Sequence, residues 1–340
     1  MPGSTPYGSA RPPSSCRPRW LRHVWVSLVL PTLSFAQTWD NNNGTGNSQW
    51  ATANNWAPNG VPGNTANIVF NGTEGSDATV NNVELRGNRT VNSLAFTNVN
   101  DTFSLINGTG SRTLTITSGD ITRNAGSSGV QTLAFTTLAL GGASAMDIAG
   151  TGSLTISSNI TGTGQSLTKT GAGELILSGA NTYSGGTFVN AGILSVNSAG
   201  ALGTGTVNVT LGGGTLRLNT ATTTITNLTL TANSVIDFAT AATLNVTTLN
   251  LAGFSLTVQN WAGASDAFFA TNWTGAVQDT QAAAPMNLIT FTGFPASSTQ
   301  WRSIDDQITP VPEPSTYGAL LLGALTGWFA WRRSVRRPAR

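Results

Sequence analysis

The sequence predicts an all-β chain wound as a parallel β-solenoid. Three observations carry that expectation. Apolar pairs at i and i+2 recur from Leu94 to Val258: Leu94/Phe96, Leu114/Ile116, Leu133/Phe135, Leu154/Ile156, Leu175/Leu177, Leu194/Val196, Leu216/Leu218, Ile236/Phe238 and Leu256/Val258. Their first members lie 19 to 22 residues apart, by subtraction. Gly-Thr-Gly, Gly-Gly, Asn-Gly and Ser-Gly turns separate them, in a chain with only 9% charged residues whose polar load is Thr, Asn, Ser and Gly. Period two puts i and i+2 on one face of a strand. A unit of about twenty residues cannot bury its own apolar face, but stacking unit on unit buries a continuous column. An antiparallel sandwich is the alternative, and its strands recur every 8–12 residues.

In chain order, residues 1–36 read as a secretory signal peptide. Basic residues through Arg22 precede an apolar run from Val24 to Leu33. Ser34-Phe35-Ala36 supplies the small residues of a cleavage site between Ala36 and Gln37. Residues 37–75 are rich in Asn and Trp, with Trp39, Trp50 and Trp56, and Ile68-Val69-Phe70 is an expected strand. Aromatics at the head of a stacked array read most simply as a cap over its open end. The sharper reading is a sugar-stacking platform, which requires Trp39, Trp50 or Trp56 coplanar and exposed.

The solenoid is expected over 76–260. A second apolar position follows most later strands at an offset of twelve or thirteen: Leu167, Phe188, Val207, Leu228 and Leu249. Residues 261–309 lose the period. Trp261, Phe268, Phe269, Trp273, Phe291, Phe294 and Trp301 read there as a closing cap, followed by a linker holding Asp305 and Asp306. Residues 310–340 form a tripartite tail: the rigid Val311-Pro312-Glu313-Pro314-Ser315, an uncharged run from Tyr317 to Trp331, then Arg332, Arg333, Arg336, Arg337 and Arg340. As a helix those fifteen residues would span about 22 Å, short of the ~30 Å bilayer core. Interfacial Trp328 and Trp331, with arginines beyond them as a membrane stop, predict a transmembrane helix with a cytoplasmic end.

Composition excludes several functions. Arg11, Arg17, Arg19 and Arg22 lie in the leader and five arginines in the tail. The body keeps Arg86, Arg89, Arg112, Arg123, Lys169, Arg217 and Arg302, seven bases against thirteen of the fourteen acids, with Glu313 in the tail, and so runs near −6. No nucleic-acid partner is expected of such a surface. Cys16 and His23, the chain's one cysteine and one histidine, lie in the leader. A mature chain cut after it has no disulfide, no thiol nucleophile, no Ser-His-Asp triad and no zinc site built on His or Cys. Paired carboxylates are the remaining catalytic option, but Asp120, Asp147 and Asp237 fall on different turns without a shared offset. Leu211-Gly-Gly-Gly-Thr-Leu216 lacks the Asp of a calcium-binding repeat. No catalytic residue, metal or cofactor is expected.

Two stretches resemble known families. The tail, with Val311–Ser315, the short apolar run and the basic end, resembles the PEP-CTERM sorting signal of Gram-negative bacteria. That resemblance implies export through the secretion translocon and a transient inner-membrane tether. It also implies cleavage near Pro312–Ser315 by exosortase, a membrane transpeptidase, then placement at the cell surface or in the extracellular matrix. Residues 167–196 resemble the autotransporter-associated β-strand repeat. Lys169, Gly171, Gly173, Leu175, Leu177, Gly179, Asn181, Thr182, Tyr183, Gly185, Gly186, Thr187, Gly192 and Leu194 stand where that repeat has them. It implies a right-handed β-helix outside the cell. The sequence departs from true autotransporters in carrying a sorting signal where they carry a membrane barrel. The function expected is a structural or adhesin-like surface protein with an extracellular polysaccharide as candidate partner. The alternative is a secreted polysaccharide-active enzyme or carbohydrate-binding protein on the same scaffold.

Overall fold

The computed structural model describes residues 36–39, 49–71, 82–100, 102–276, 278, 285–295 and 298–310. Apart from three short 3-10 turns, the regular structure of these residues is strand. A twelve-stranded sheet begins at the Trp56–Ala57 and Ala36–Trp39 pair and ends at Ala267–Trp273. A ten-stranded sheet runs from Asn82–Leu85 to Ile289–Phe291. A four-stranded sheet holds Arg89–Val91, Thr113–Ile116, Thr137–Leu140 and Asn159–Thr161. Within the three, only Trp56–Ala57 pairs antiparallel, with Ala36–Trp39. The chain visits the sheets in rotation: Ser93–Thr97, Phe103–Asn107 and Thr113–Ile116, then Ile121–Arg123, Gln131–Ala134 and Thr137–Leu140. That path is a parallel β-solenoid with three faces.

All nine expected apolar pairs are buried, yet they do not form one column. Leu94 and Phe96 lie in the first sheet, Leu114 and Ile116 in the third, and Leu133 in the second. The spacing near twenty at that end links strands of different faces. Register gives the true repeat: Leu94 pairs with Ile121 and Ile121 with Met146, 27 and 25 residues on. Turns at this end are longer because each carries three separate strands with their connections. Farther along the twenty holds. Leu154, Leu175, Leu194, Leu216 and Ile236 stack in sequence. Ile236 then pairs with Val258 and not with Leu256, a shift of two that preserves the inward face.

The second column is also corrected in part. Leu167, Thr187, Val209, Leu228, Leu249 and Trp273 are its members. Phe188 is half-buried on the outward side of its strand, and Val207 packs at the margin of the core. Thr187 replaces an apolar residue inside because its hydroxyl meets the Tyr183 hydroxyl at 2.7 Å, a satisfied internal pair.

The third face changes character midway. After Asn159–Thr161, Asn181 and Thr182 continue the hydrogen bonding: Ile160 N–H donates to Asn181 Oδ1 at 2.8 Å and Thr182 N–H to Ile160 O at 2.7 Å. From Thr222 the long strand Thr222–Ala232 serves both the third and the first face. It pairs with Thr243–Asn250 on either side of Thr226.

Both ends of the solenoid reach farther than expected. Ala36–Trp39 already pairs parallel with Asn67–Asn71, so the residues read as an N-terminal cap also form the first turn. Toward the other end, Phe268 and Trp273 lie in a regular strand and Phe291 in another, all buried. The Thr299–Trp301 and Ile308–Pro310 hairpin closes this end. Ala270 N–H donates to Asp306 O at 3.0 Å and Trp301 Nε1 to Ala270 O at 2.8 Å, which satisfies the edge. Asp305 and Asp306 form the turn of that hairpin and are not a linker. The expected transmembrane helix falls outside the described residues. Among the described residues no helix is long and apolar enough to cross a membrane.

Candidate functional site

The residues singled out for processing lie at the two ends of the solenoid. Ala36 is exposed and opens the first strand opposite Asn67. Gln37 pairs with Ile68, and its Nε2 donates to the carbonyls of Pro58 and Gly60, both at 3.3 Å. A chain beginning at Gln37 therefore retains the first strand's side-chain anchors. At the far end Pro310 is buried in the last strand. Val311, Pro312, Glu313, Pro314 and Ser315 follow it, with Arg332, Arg333, Arg336 and Arg337 beyond, all outside the described residues.

The repeat at 167–196 makes about a turn and a half. Its polar residues are internal struts. Asn181 is buried and bridges neighbouring turns, accepting from Ile160 N–H and donating through Nδ2 to Ala201 O at 2.6 Å. Tyr183 is buried against Thr187, and burial drives its phenol well above the ordinary value. Gly192 has φ +63°, and a Cβ there would lie 2.4 Å from the carbonyl oxygens of Gly171 and Gly173. Only glycine fits that turn.

Lys169, the chain's one lysine, occupies an inward position between Met146 and Val189. It is fully buried, and its Nζ donates to the carbonyls of Thr170 at 2.6 Å, Gly171 at 2.7 Å and Ala191 at 3.3 Å. Burial pulls its pKa down to about 8, against a smaller upward pull from Asp147. Arg123 is buried likewise, donating to Gln131 Oε1 at 2.6 Å and to the carbonyls of Ala149, Ser127 and Gly129. Desolvation lowers its pKa. These two internal cations close turns by capping carbonyls that would otherwise be buried without donors. The sequence carries a signal for their inward placement: Leu167/Lys169 and Ile121/Arg123 are i, i+2 pairs with an inward first member.

The catalytic and sugar-binding alternatives can be set against this geometry. Trp50 and Trp56 are fully buried and Trp39 nearly so. Trp39 and Trp56 meet edge-on at 86° with centroids 5.0 Å apart, and Trp50 lies 4.9 Å from Trp56 at 59°. The three are neither coplanar nor exposed, so they pack as a cap. Three of the described carboxylates serve as partners of the fold. Asp266 accepts Ala242 N–H at 3.1 Å and Ala262 N–H at 2.6 Å. Glu174 and Asp237 share Arg217, at 3.0 and 2.8 Å. Among the described residues no group of three or more His, Cys, Asp or Glu could hold a metal ion.

Comparison with known proteins adds three findings. Residues 167–196 match the model of the passenger-associated-transport-repeat. Residues 310–337 match the PEP-CTERM protein-sorting motif. A stretch of 78 residues is 46% identical to the adhesin BmaC autotransporter of Brucella suis biovar 1 (strain 1330), covering 23% of this chain and 2% of that much longer protein. No solved structure matches the chain.

Proposed function

We propose that this chain is an exported, adhesin-like β-helix protein of a Gram-negative bacterium, displayed at the cell surface or in the extracellular matrix. In this reading the leader is removed between Ala36 and Gln37 after passage through the secretion translocon. The tail tethers the chain briefly in the inner membrane, with Arg332, Arg333, Arg336 and Arg337 as the stop, and an exosortase-type transpeptidase cuts near Pro312–Ser315. The observation that carries the proposal is the junction at Pro310. The sorting-motif match begins at residue 310, in the strand Ile308–Pro310 that completes the closing hairpin of the described residues. A folded solenoid with a detachable address is the arrangement that such processing requires. The repeat match and the adhesin likeness support a passenger-type role and a non-enzymatic one.

Fractionation of cells carrying the full chain or a chain ending at residue 310 tests it, with intact mass measured on the mature protein. The full chain is expected in the surface or medium fraction, with a mass that starts at Gln37 and ends near Pro312–Ser315. Recovery of extracellular protein that retains Arg332 and Arg333 sinks the sorting reading.

A further inference from the structure

The cations of the body separate into three groups. Arg123 and Lys169 are internal and spent on backbone carbonyls. Arg217 is matched by Asp237 and Glu174, and Arg302 by Asp305 at 3.2 Å. The remaining three, Arg86, Arg89 and Arg112, meet at one corner, where the second face turns into the third. The strand Asn82–Leu85 reaches Arg89–Val91 through residues 86–88, and on the next turn Phe103–Asn107 reaches Thr113–Ile116 through residues 108–112. Leu85 pairs with Asn107 and Arg89 with Leu114, so the two connections stack. Thr113 N–H donates to Asn88 Oδ1 at 3.0 Å and fixes one upon the other. The Arg86 side chain lies over Gly108, where an added Cβ would sit 2.7 Å from Arg86 Cγ.

The charge at this corner is not balanced from within. Glu84 pairs with Arg86 at 2.8 Å. Among the described residues the Arg112 side chain donates within its own connection, to Ser111 O at 3.3 Å and Thr109 Oγ1 at 3.5 Å. The Nε atoms of Arg89 and Arg112 are both buried without a hydrogen-bond partner. Among the described residues no carboxylate pairs with Arg89 or Arg112, and guanidinium forks suit planar or tetrahedral oxyanions.

We propose that the Arg86–Arg89–Arg112 corner is a binding site for an acidic polysaccharide, engaging its carboxylate or sulfate groups. Consecutive turns set the cations about 4.8 Å apart along the solenoid axis, a spacing suited to anionic groups recurring along an extended chain. A body near −6 repels a broad anionic surface such as a membrane, whereas a single thin polymer can reach one corner. The inference takes its setting from the surface display proposed above, but binding is read in vitro and display by fractionation, so either can fail alone.

The test uses the purified full chain with polygalacturonate, dextran sulfate, neutral dextran and vesicles containing phosphatidylglycerol as probes. Expected is retention by the two acidic polysaccharides, weakening as salt rises, with none by neutral dextran. Arg89→Gln/Arg112→Gln should bind about tenfold more weakly, two partly exposed charge contacts of up to about 1 kcal/mol each, while Arg302→Gln binds like the parent. Arg89→Lys/Arg112→Lys, which keeps the charge and serves if the glutamine variant misfolds, should retain most of the binding. Undiminished binding by the glutamine variant, equal loss in both double variants, or binding to vesicles and not to the polysaccharides would each overturn the proposal.

Discussion

Arg217 and Asp237 are paired partners on adjacent parallel strands, and Arg217 Nε donates to Asp237 Oδ2 at 2.8 Å. The twenty-residue separation predicts that contact, but as an exposed pair. Instead the Asp237 side chain is only 6% exposed and that of Arg217 28%. Neighbours close over them. Glu174, two turns away, accepts from Arg217 Nη1 at 3.0 Å, and Asn260 Nδ2 donates to Asp237 Oδ1 at 2.6 Å. Ser195 points outward as expected, yet it is buried because its hydroxyl donates to Glu174 beneath this network. The hydrogen bond to Asp237 raises the Arg217 pKa, with Glu174 adding to it.

Loss of the arginine therefore leaves Asp237 covered and short of a donor. Arg217→Met should destabilise the fold by about 1–3 kcal/mol, between an exposed and a buried pair. A double-mutant cycle with Asp237→Asn in chemical denaturation measures the coupling. Simple additivity would show that the pair is independent.

Leu216 is fully buried between Leu194 and Ile236. Leu216→Ala should cost roughly 2–5 kcal/mol in the same assay. A cost below about 1 kcal/mol would mean the column can collapse around the cavity.

Lys169 gives a pH signature. Its folded pKa of about 8 lies below the ~10.4 of an unfolded lysine, so the unfolded chain holds more protons between those values. Stability should be flat below pH 8 on this account and rise from about pH 8 to about pH 10, by on the order of 3 kcal/mol. Above about pH 10 Tyr183 acts oppositely, since its phenol stays protonated in the fold and ionises when unfolded. Lys169→Met should abolish the rise, which thermal melts across pH 7–10 would show. A persistent rise in that variant assigns the effect to another group.

Gly192→Ala should destabilise by about 2 kcal/mol or more, combining left-handed strain with a clash against two carbonyl oxygens. Gly164→Ala shares the positive φ of its backbone but has nothing within 4 Å. The difference between the two, read by thermal melting, isolates the clash.

The sequence by itself determined the class of fold, the inward residues and the address at the C-terminus. Period two is a property of the strand, so Leu175, Leu194 and Leu216 could be assigned inward without knowing their neighbours. A near-constant spacing from Leu154 to Ile236 sufficed to stack Arg217 on Asp237. Only the tertiary structure decided which face each early strand joins. Leu94, Leu114 and Leu133 share a spacing near twenty but lie in three sheets, because a spacing along the chain does not distinguish one full turn from a different fraction of a longer one. It also decided that Lys169 and Arg123 are internal struts, and that Arg86, Arg89 and Arg112 share a corner. A charge is placed by the carbonyls, carboxylates and neighbouring turns around it, and those come together only when the chain has wound upon itself.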